Sequence, residues 1–365
     1  MSSRARILFG VVMTLSLLSG FLHEIWPDAA LSFKRLHIFG LNLLTGGSLI
    51  LYHIVGERVF TARLVAYFAL ALLYALFAAA GWYLPTLALS IPLFLLVESV
   101  RTERFSVFPV DFFRRTPVSE KFAHASLLCL SIGIVFASLV ILNNQYFRLI
   151  HYEKLTIEVF FLGYSFPVSL ITMAIMFSFM TERERLFYTV LKEVSFWLVN
   201  VGVIVFFVLI ILELTVPVIA IAITLFVTVW MIFFLFVTMA PRVQQKTFLV
   251  SGMVFLLFTA LTGILYVATY LHPHLEEYRA PLLVLHAMVS LYGWNLSGLF
   301  IIIRWNDFPI RLNSALAITL HWSIVLVLAP LGMFVLPVSV LAVAAYVALL
   351  LIVLAGNAND EEASR

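Results

Sequence analysis

Charge and cysteine are what this chain has least of. Of its 365 residues only 11% are Asp, Glu, Lys or Arg, against roughly 25% in soluble domains. So few charges cannot cover a water-facing surface of this size. The single cysteine, Cys129, excludes an intrachain disulfide, an iron–sulfur cluster on four protein thiolates and a covalent C-x-x-C-H haem attachment. Strand alternation of the outer-membrane barrel type is missing. No Pro/Gly/Ser linker or charged low-complexity tract divides the chain, so residues 1–365 read as a single polytopic membrane domain.

Apolar residues take the vacant share, at 63% of the chain. They gather in runs near the 20 or so residues needed to cross about 30 Å of hydrocarbon. Twelve spans can be drawn, near 6–23, 36–55, 63–82, 83–99, 122–142, 156–180, 186–212, 216–240, 247–270, 280–303, 313–335 and 336–355. Inside a bilayer each segment must satisfy its own backbone groups, so the spans are helices. The expected fold class is all-α integral membrane, a twelve-helix bundle.

Orientation follows from Lys and Arg. With the N-terminus cytoplasmic, 16 of these residues fall in inner segments. Lys34, Arg35, Arg148, Lys154 and Arg279 fall outside, and Lys192 lies within a span. The bias places both termini in the cytoplasm of a cell whose inner membrane the chain crosses many times. The net charge of +3 is thus a topology signal, and nucleic acid is not an expected partner. The first span lacks a small-x-small cleavage site and is expected to stay uncleaved. The longest loop, 100–121, mixes arginines with phenylalanines and suits lipid headgroups.

Among nine histidines, His23, His151, His272 and His274 sit at span ends or in outer loops, where water satisfies them. His37, His53, His124, His286 and His321 lie within or at the ends of spans, where an ionisable residue is costly and counts as a functional candidate. His37 opens span 2 and His286 stands early in span 10, both on the outer side. His53 and His124 share the cytoplasmic side, and His321 lies about a third of the way along span 11. Two short stretches echo each other, "LHIFGLNLLTGGSLI" in span 2 and "LHAMVSLYGWNLSGLFI" in span 10. A haem iron takes two axial ligands from facing helices, and His or Met supplies them. His286 and Met288 point about 200° apart around their helix, so one iron cannot take both. His37 with either of them is the expected pair. His53 and His124 are weaker candidates for a second haem, since His53 lies about 24 Å along the helix from His37 and on another side.

These residues resemble the haem-copper oxidase subunit I superfamily, in divergent form. The resemblance covers the twelve-helix topology and three short motifs. In that family a span-2 histidine near the outer face ligates a low-spin haem, and "LHIFGLNLL" puts His37 there. Span 10 of the family carries His-x-His, of which this chain keeps the first position as His286 and has Met288 in the second. The copper side fails: Thr156 stands where span 6 has its histidine, with Glu158-Val159 retained, and residues 186–212 hold no histidine pair. The resemblance therefore implies b-type haem without a copper centre, and no copper-dependent oxygen reduction.

Other polar residues have structural readings beside functional ones. Lys192 can snorkel to the surface. Pro167 is expected to kink span 6 beside Gly163 and Tyr164. Two further classes fit the same composition: a secondary transporter, which needs interrupted helices around a midplane site, and a cofactor-free structural subunit of a larger membrane complex. Partners in keeping with the haem reading are the lipid bilayer, a redox protein or quinone, and further membrane subunits.

Overall fold

A computed structural model describes residues 1–56, 60–150, 161–181 and 186–356. Among them the chain is helical, with no strand in the architecture. Eleven helices are long and apolar enough to cross a membrane. They are α1 (Ser3–Ile25), α2 (Phe33–Val55), α3 (Ala62–Ala79), α4 (Tyr83–Arg104), α5 (Val118–Phe147), α7 (Leu186–Ile211), α8 (Thr215–Met239), α9 (Gln244–Ala268), α10 (His274–Ile303), α11 (Ser314–Gly332) and α12 (Leu336–Ala355). Between α5 and α7 lies a shorter apolar helix, α6 (Gly163–Phe179). It covers the described part of the span expected at 156–180; Thr156, Glu158 and Val159 lie outside the described residues. The protein is an all-α multi-pass membrane protein whose solvent is the lipid bilayer.

Helix starts carry the local chemistry that fixes them. The Ser2 hydroxyl accepts the Ala5 N–H at 3.3 Å, Thr61 caps Leu64, and Asn313 caps Leu316 at 3.1 Å. Each side chain satisfies an orphan donor of a first turn. Pro167 sits in the first turn of regular α-helix in α6, where its missing N–H costs nothing. The kink expected there takes another form: the preceding turn, Phe161–Ser165, is π-helical.

Helix ends also show how the bundle alternates. Arg6, at the start of α1, pairs with Asp307 just past α10 at 2.5 Å. Arg304 donates to the carbonyls of Leu354 and Gly356 at the end of α12. Arg104 at the end of α4 donates to Ile54 O in α2, and Gln244 at the start of α9 donates to Ile310 O. Ser3 and Ala355 therefore lie on one face of the bundle. Lys121, expected in an inner segment, is 3% exposed and pairs with Glu193 of α7 at 2.8 Å. Burial of that ammonium is tolerable because a carboxylate meets it.

Small residues set the closest approach. A Cβ on Gly133 in α5 would lie 2.4 Å from the Cα of Gly163, so backbone meets backbone where α5 crosses α6. Enclosure is uneven: an 18-residue stretch of α2 is 78% buried and one of α10 is 83% buried, against 22% in α7. The histidines stand toward the less buried ends of α2 and α10. Both helices leave regular α-geometry just past the histidine, at Phe39–Gly47 in α2 and Val289–Asn295 in α10, where π-helical hydrogen bonding takes over. π-Turns are rare and concentrate at functional sites.

The loop between α4 and α5 is folded rather than loose. Ser106 donates to the Asp111 carboxylate through its hydroxyl at 2.5 Å and its N–H at 3.0 Å. Those bonds, the hydroxyl's first, hold the Asp111 carboxyl below its usual range. A depressed carboxyl stabilises the fold above the unfolded value of 3.8, and that contribution disappears as pH falls through the lower native value. Limited proteolysis of residues 105–116 is expected to be equal at pH 7 and pH 5 and to rise only below about pH 4. In Asp111→Ala the loop should be cut faster already at pH 7, with the acid step gone.

Candidate functional site

Two helical hairpins, α1–α2 and α9–α10, hold their histidines by the same device. His37 Nδ1 stands 2.9 Å from Ser16 O of α1 and 3.0 Å from the Tyr292 hydroxyl of α10. His286 Nδ1 stands 2.9 Å from Thr259 O of α9 and 3.4 Å from the Thr262 hydroxyl. A carbonyl only accepts, so Nδ1 carries the proton in both rings and Nε2 keeps its lone pair. Neither Nε2 has a hydrogen-bond partner among the described residues. Each ring lies against a glycine four residues after its carbonyl. A Cβ on Gly20 would come within 2.8 Å of His37 Nδ1, and one on Gly263 within 3.1 Å of His286 Cε1.

The two histidines do not face each other. His286 turns toward α9, while Tyr292 reaches His37 from the other side of α10. Met288 precedes Tyr292 by four residues, about one helical turn, and so shares its face. Side chains in a helix lean toward its N-terminus, which brings the Tyr292 hydroxyl over the turn that holds Met288. Met288 itself is buried, at 3% exposed. The Tyr292 contact puts His37 on this side of α10, and helical spacing gives Met288 the same side and His286 the other.

The remaining candidates are engaged elsewhere. His321 Nε2 donates to Tyr292 O at 2.5 Å, a carbonyl in the π-helical stretch of α10, and Phe255 and Phe300 flank the ring. Its lone pair is not at Nε2, and its work is to hold that stretch. Replacing His321 with phenylalanine should leave the Tyr292 carbonyl without its partner. The expected loss is about 1–3 kcal/mol, read as a lower midpoint of thermal unfolding in detergent, with the packing otherwise kept. His124 accepts from Arg101 Nη1 at 3.1 Å through Nε2, with Nδ1 3.5 Å from Asp111. Phe105 stacks on the ring at 4.8 Å, so no lone pair is free for a metal. His53 packs edge-on against Trp305. The inner histidines therefore have separate surroundings, and His124 offers no axial position.

Several residues that build this site escape a reading of the sequence. Ser16 and Thr259 contribute main-chain carbonyls, which any residue type supplies. Gly20 and Gly263 are legible only in hindsight, as a Ser/Thr–x₃–Gly spacing in the helix before each histidine helix. Tyr292 was within reach of inspection, being four residues past Met288. Among the described residues no three His, Cys, Asp or Glu side chains converge on a common point. No protein-family model matches the chain, and no curated protein matches it.

Proposed function

We propose that this chain is a b-type haem-binding membrane protein of the respiratory-chain kind, on a bundle similar to oxidase subunit I, without copper-dependent oxygen reduction. His37 and Met288 are its axial ligands. One observation carries the reading: the proton on His37 Nδ1 is held by Ser16 O and Tyr292, which leaves the lone pair at Nε2; Met288 is assigned as its partner from its position one helical turn before Tyr292. Metal-ligating histidines are held in this way, with the far nitrogen donating to a carbonyl that fixes tautomer and ring orientation. When bound, haem supplies reversible one-electron chemistry at iron, and an axial methionine raises its potential relative to histidine.

The chain's own residues do the rest. Ser16 and Gly20 lock the imidazole plane, and Tyr292 adds a second contact at the same nitrogen. His286, bare at its own Nε2 but turned toward α9, stays outside this pair. A redox protein or a quinone fits as electron donor or acceptor, with further membrane subunits as neighbours. Near-infrared magnetic circular dichroism of the ferric protein tests the pairing, because His–Met and bis-His irons differ there. A His–Met signature is expected, and a bis-His signature would overturn the ligand assignment.

A second reading, a secondary transporter, gains from one feature. Spans α2 and α10 are interrupted by π-turns, and among the described residues the side-chain oxygens of Asn42 and Asn295 are buried there without partners. Interrupted helices around buried polar groups are what a transported solute requires. The shared histidine device argues for haem, since nothing in solute binding needs two imidazoles with the same anchored nitrogen.

A further inference from the structure

A groove runs between α1 and α12. It encloses about 520 Å³. Its long wall is apolar, formed by Ile7, Val11 and Leu15 of α1 and Leu351 of α12, with Gly10 at its floor. Its end, on the face that carries Ser3 and Ala355, is charged: Arg6, Arg304 and Asp307 meet there. Arg6 binds Asp307 at 2.5 Å, and Arg304 Nε stands 3.4 Å from the same carboxylate. Two guanidiniums thus share one carboxylate, and the site keeps a net positive charge in a partly apolar setting.

The groove opens at the N-terminus of α1, a 23-residue helix whose first amides carry the positive end of its dipole. Arg304 spends two of its nitrogens on the Leu354 and Gly356 carbonyls. Arg6 spends Nε and Nη2 on Met1 O and Asp307, and among the described residues Nη1 has no acceptor. From Ser3 to Leu15 the groove spans 12 residues of helix, about 18 Å. That matches one leaflet of a hydrocarbon core roughly 30 Å thick.

We propose that this groove is a binding site for one anionic phospholipid, its phosphate at Arg6 and one acyl chain laid along Gly10, Val11 and Leu15. A zwitterionic lipid would match the apolar wall equally well but not the surplus charge, so selectivity resides at the headgroup. Gly10 leaves the chain its room: a Cβ there meets only Leu354 Cδ1, at 3.4 Å, an ordinary contact. A larger side chain at position 10 therefore fills the groove without forcing the backbone.

The test is native mass spectrometry of the full chain released from neutral detergent containing equal amounts of phosphatidylglycerol and phosphatidylcholine. One phosphatidylglycerol per chain is expected to survive, at least about five-fold over phosphatidylcholine, a margin of roughly 1 kcal/mol. Gly10→Leu should remove the bound lipid while leaving the charged cluster whole. Arg6→Gln leaves Asp307 paired with Arg304, 3.4 Å away, so the cluster becomes neutral with no carboxylate buried alone, and the preference for phosphatidylglycerol should be erased. Equal retention of the two lipids by the wild-type chain would overturn the proposal. So would an undiminished preference in both variants, or complete displacement by inorganic phosphate, which would make it a site for a free anion.

Discussion

Replacing His37 with alanine is expected to abolish the low-spin haem absorbance, whereas His286→Ala should leave it in place. The contrast follows from which side of α10 each residue occupies. His37 Nδ1 is fixed by Ser16 O and the Tyr292 hydroxyl, and helical spacing puts Met288 on the Tyr292 side of α10. His286 is turned away, bound through Nδ1 to Thr259 O of α9. Met288→Ala should convert low-spin iron to high-spin, since one axial position empties. Met288→His should keep the low-spin state and lower the reduction potential, because methionine ligation raises it. Equal loss of the spectrum in His37→Ala and His286→Ala would mean that the two histidines bind one iron together, against the arrangement of α10.

The largest loss of stability is expected from a side chain at Gly133. A Cβ there would lie 2.4 Å from Gly163 Cα and 2.5 Å from its carbonyl oxygen, and the reverse substitution meets Gly133 Cα at 2.7 Å. These are backbone atoms, so no rotamer change can relieve the overlap, and α5 and α6 must separate. Overpacking usually costs about 1–3 kcal/mol where side chains can yield. Gly133→Leu should therefore cost about 3 kcal/mol or more. Thermal unfolding in detergent, followed by loss of the monodisperse peak, measures it against Gly10→Leu. The latter meets only a flexible leucine methyl, and its midpoint should stay near that of the wild-type chain.

Run length made the spans legible. Eleven of the helices, α1 to α5 and α7 to α12, begin and end within a few residues of the apolar stretches, except that α10 begins at His274, in what reads as loop. Hydrocarbon thickness forces that agreement, since a helix must be apolar for as long as it is immersed. The π-turns were not legible. Nothing in "FGLNLLTGG" or "VSLYGWN" departs from ordinary helix composition, and only packing against other helices decides the extra residue per turn. The opposition of His286 and Met288 around α10 follows from their spacing in the sequence. What each histidine meets could not be read. Ser16, Thr259 and Tyr292 are partners across helices, and helix neighbours are a tertiary fact. Lys121 shows the same limit: its charge suggested a loop in water, and Glu193 from a helix 72 residues on allows it inside.

The central claim is that the chain holds haem between α2 and α10. The reduced-minus-oxidised visible spectrum of the purified protein, combined with haem quantitation per chain, tests it most directly. One b-type haem per chain with a low-spin difference spectrum is the result this account predicts. A protein that is folded, monodisperse and free of haem after expression with ample haem supply would contradict it.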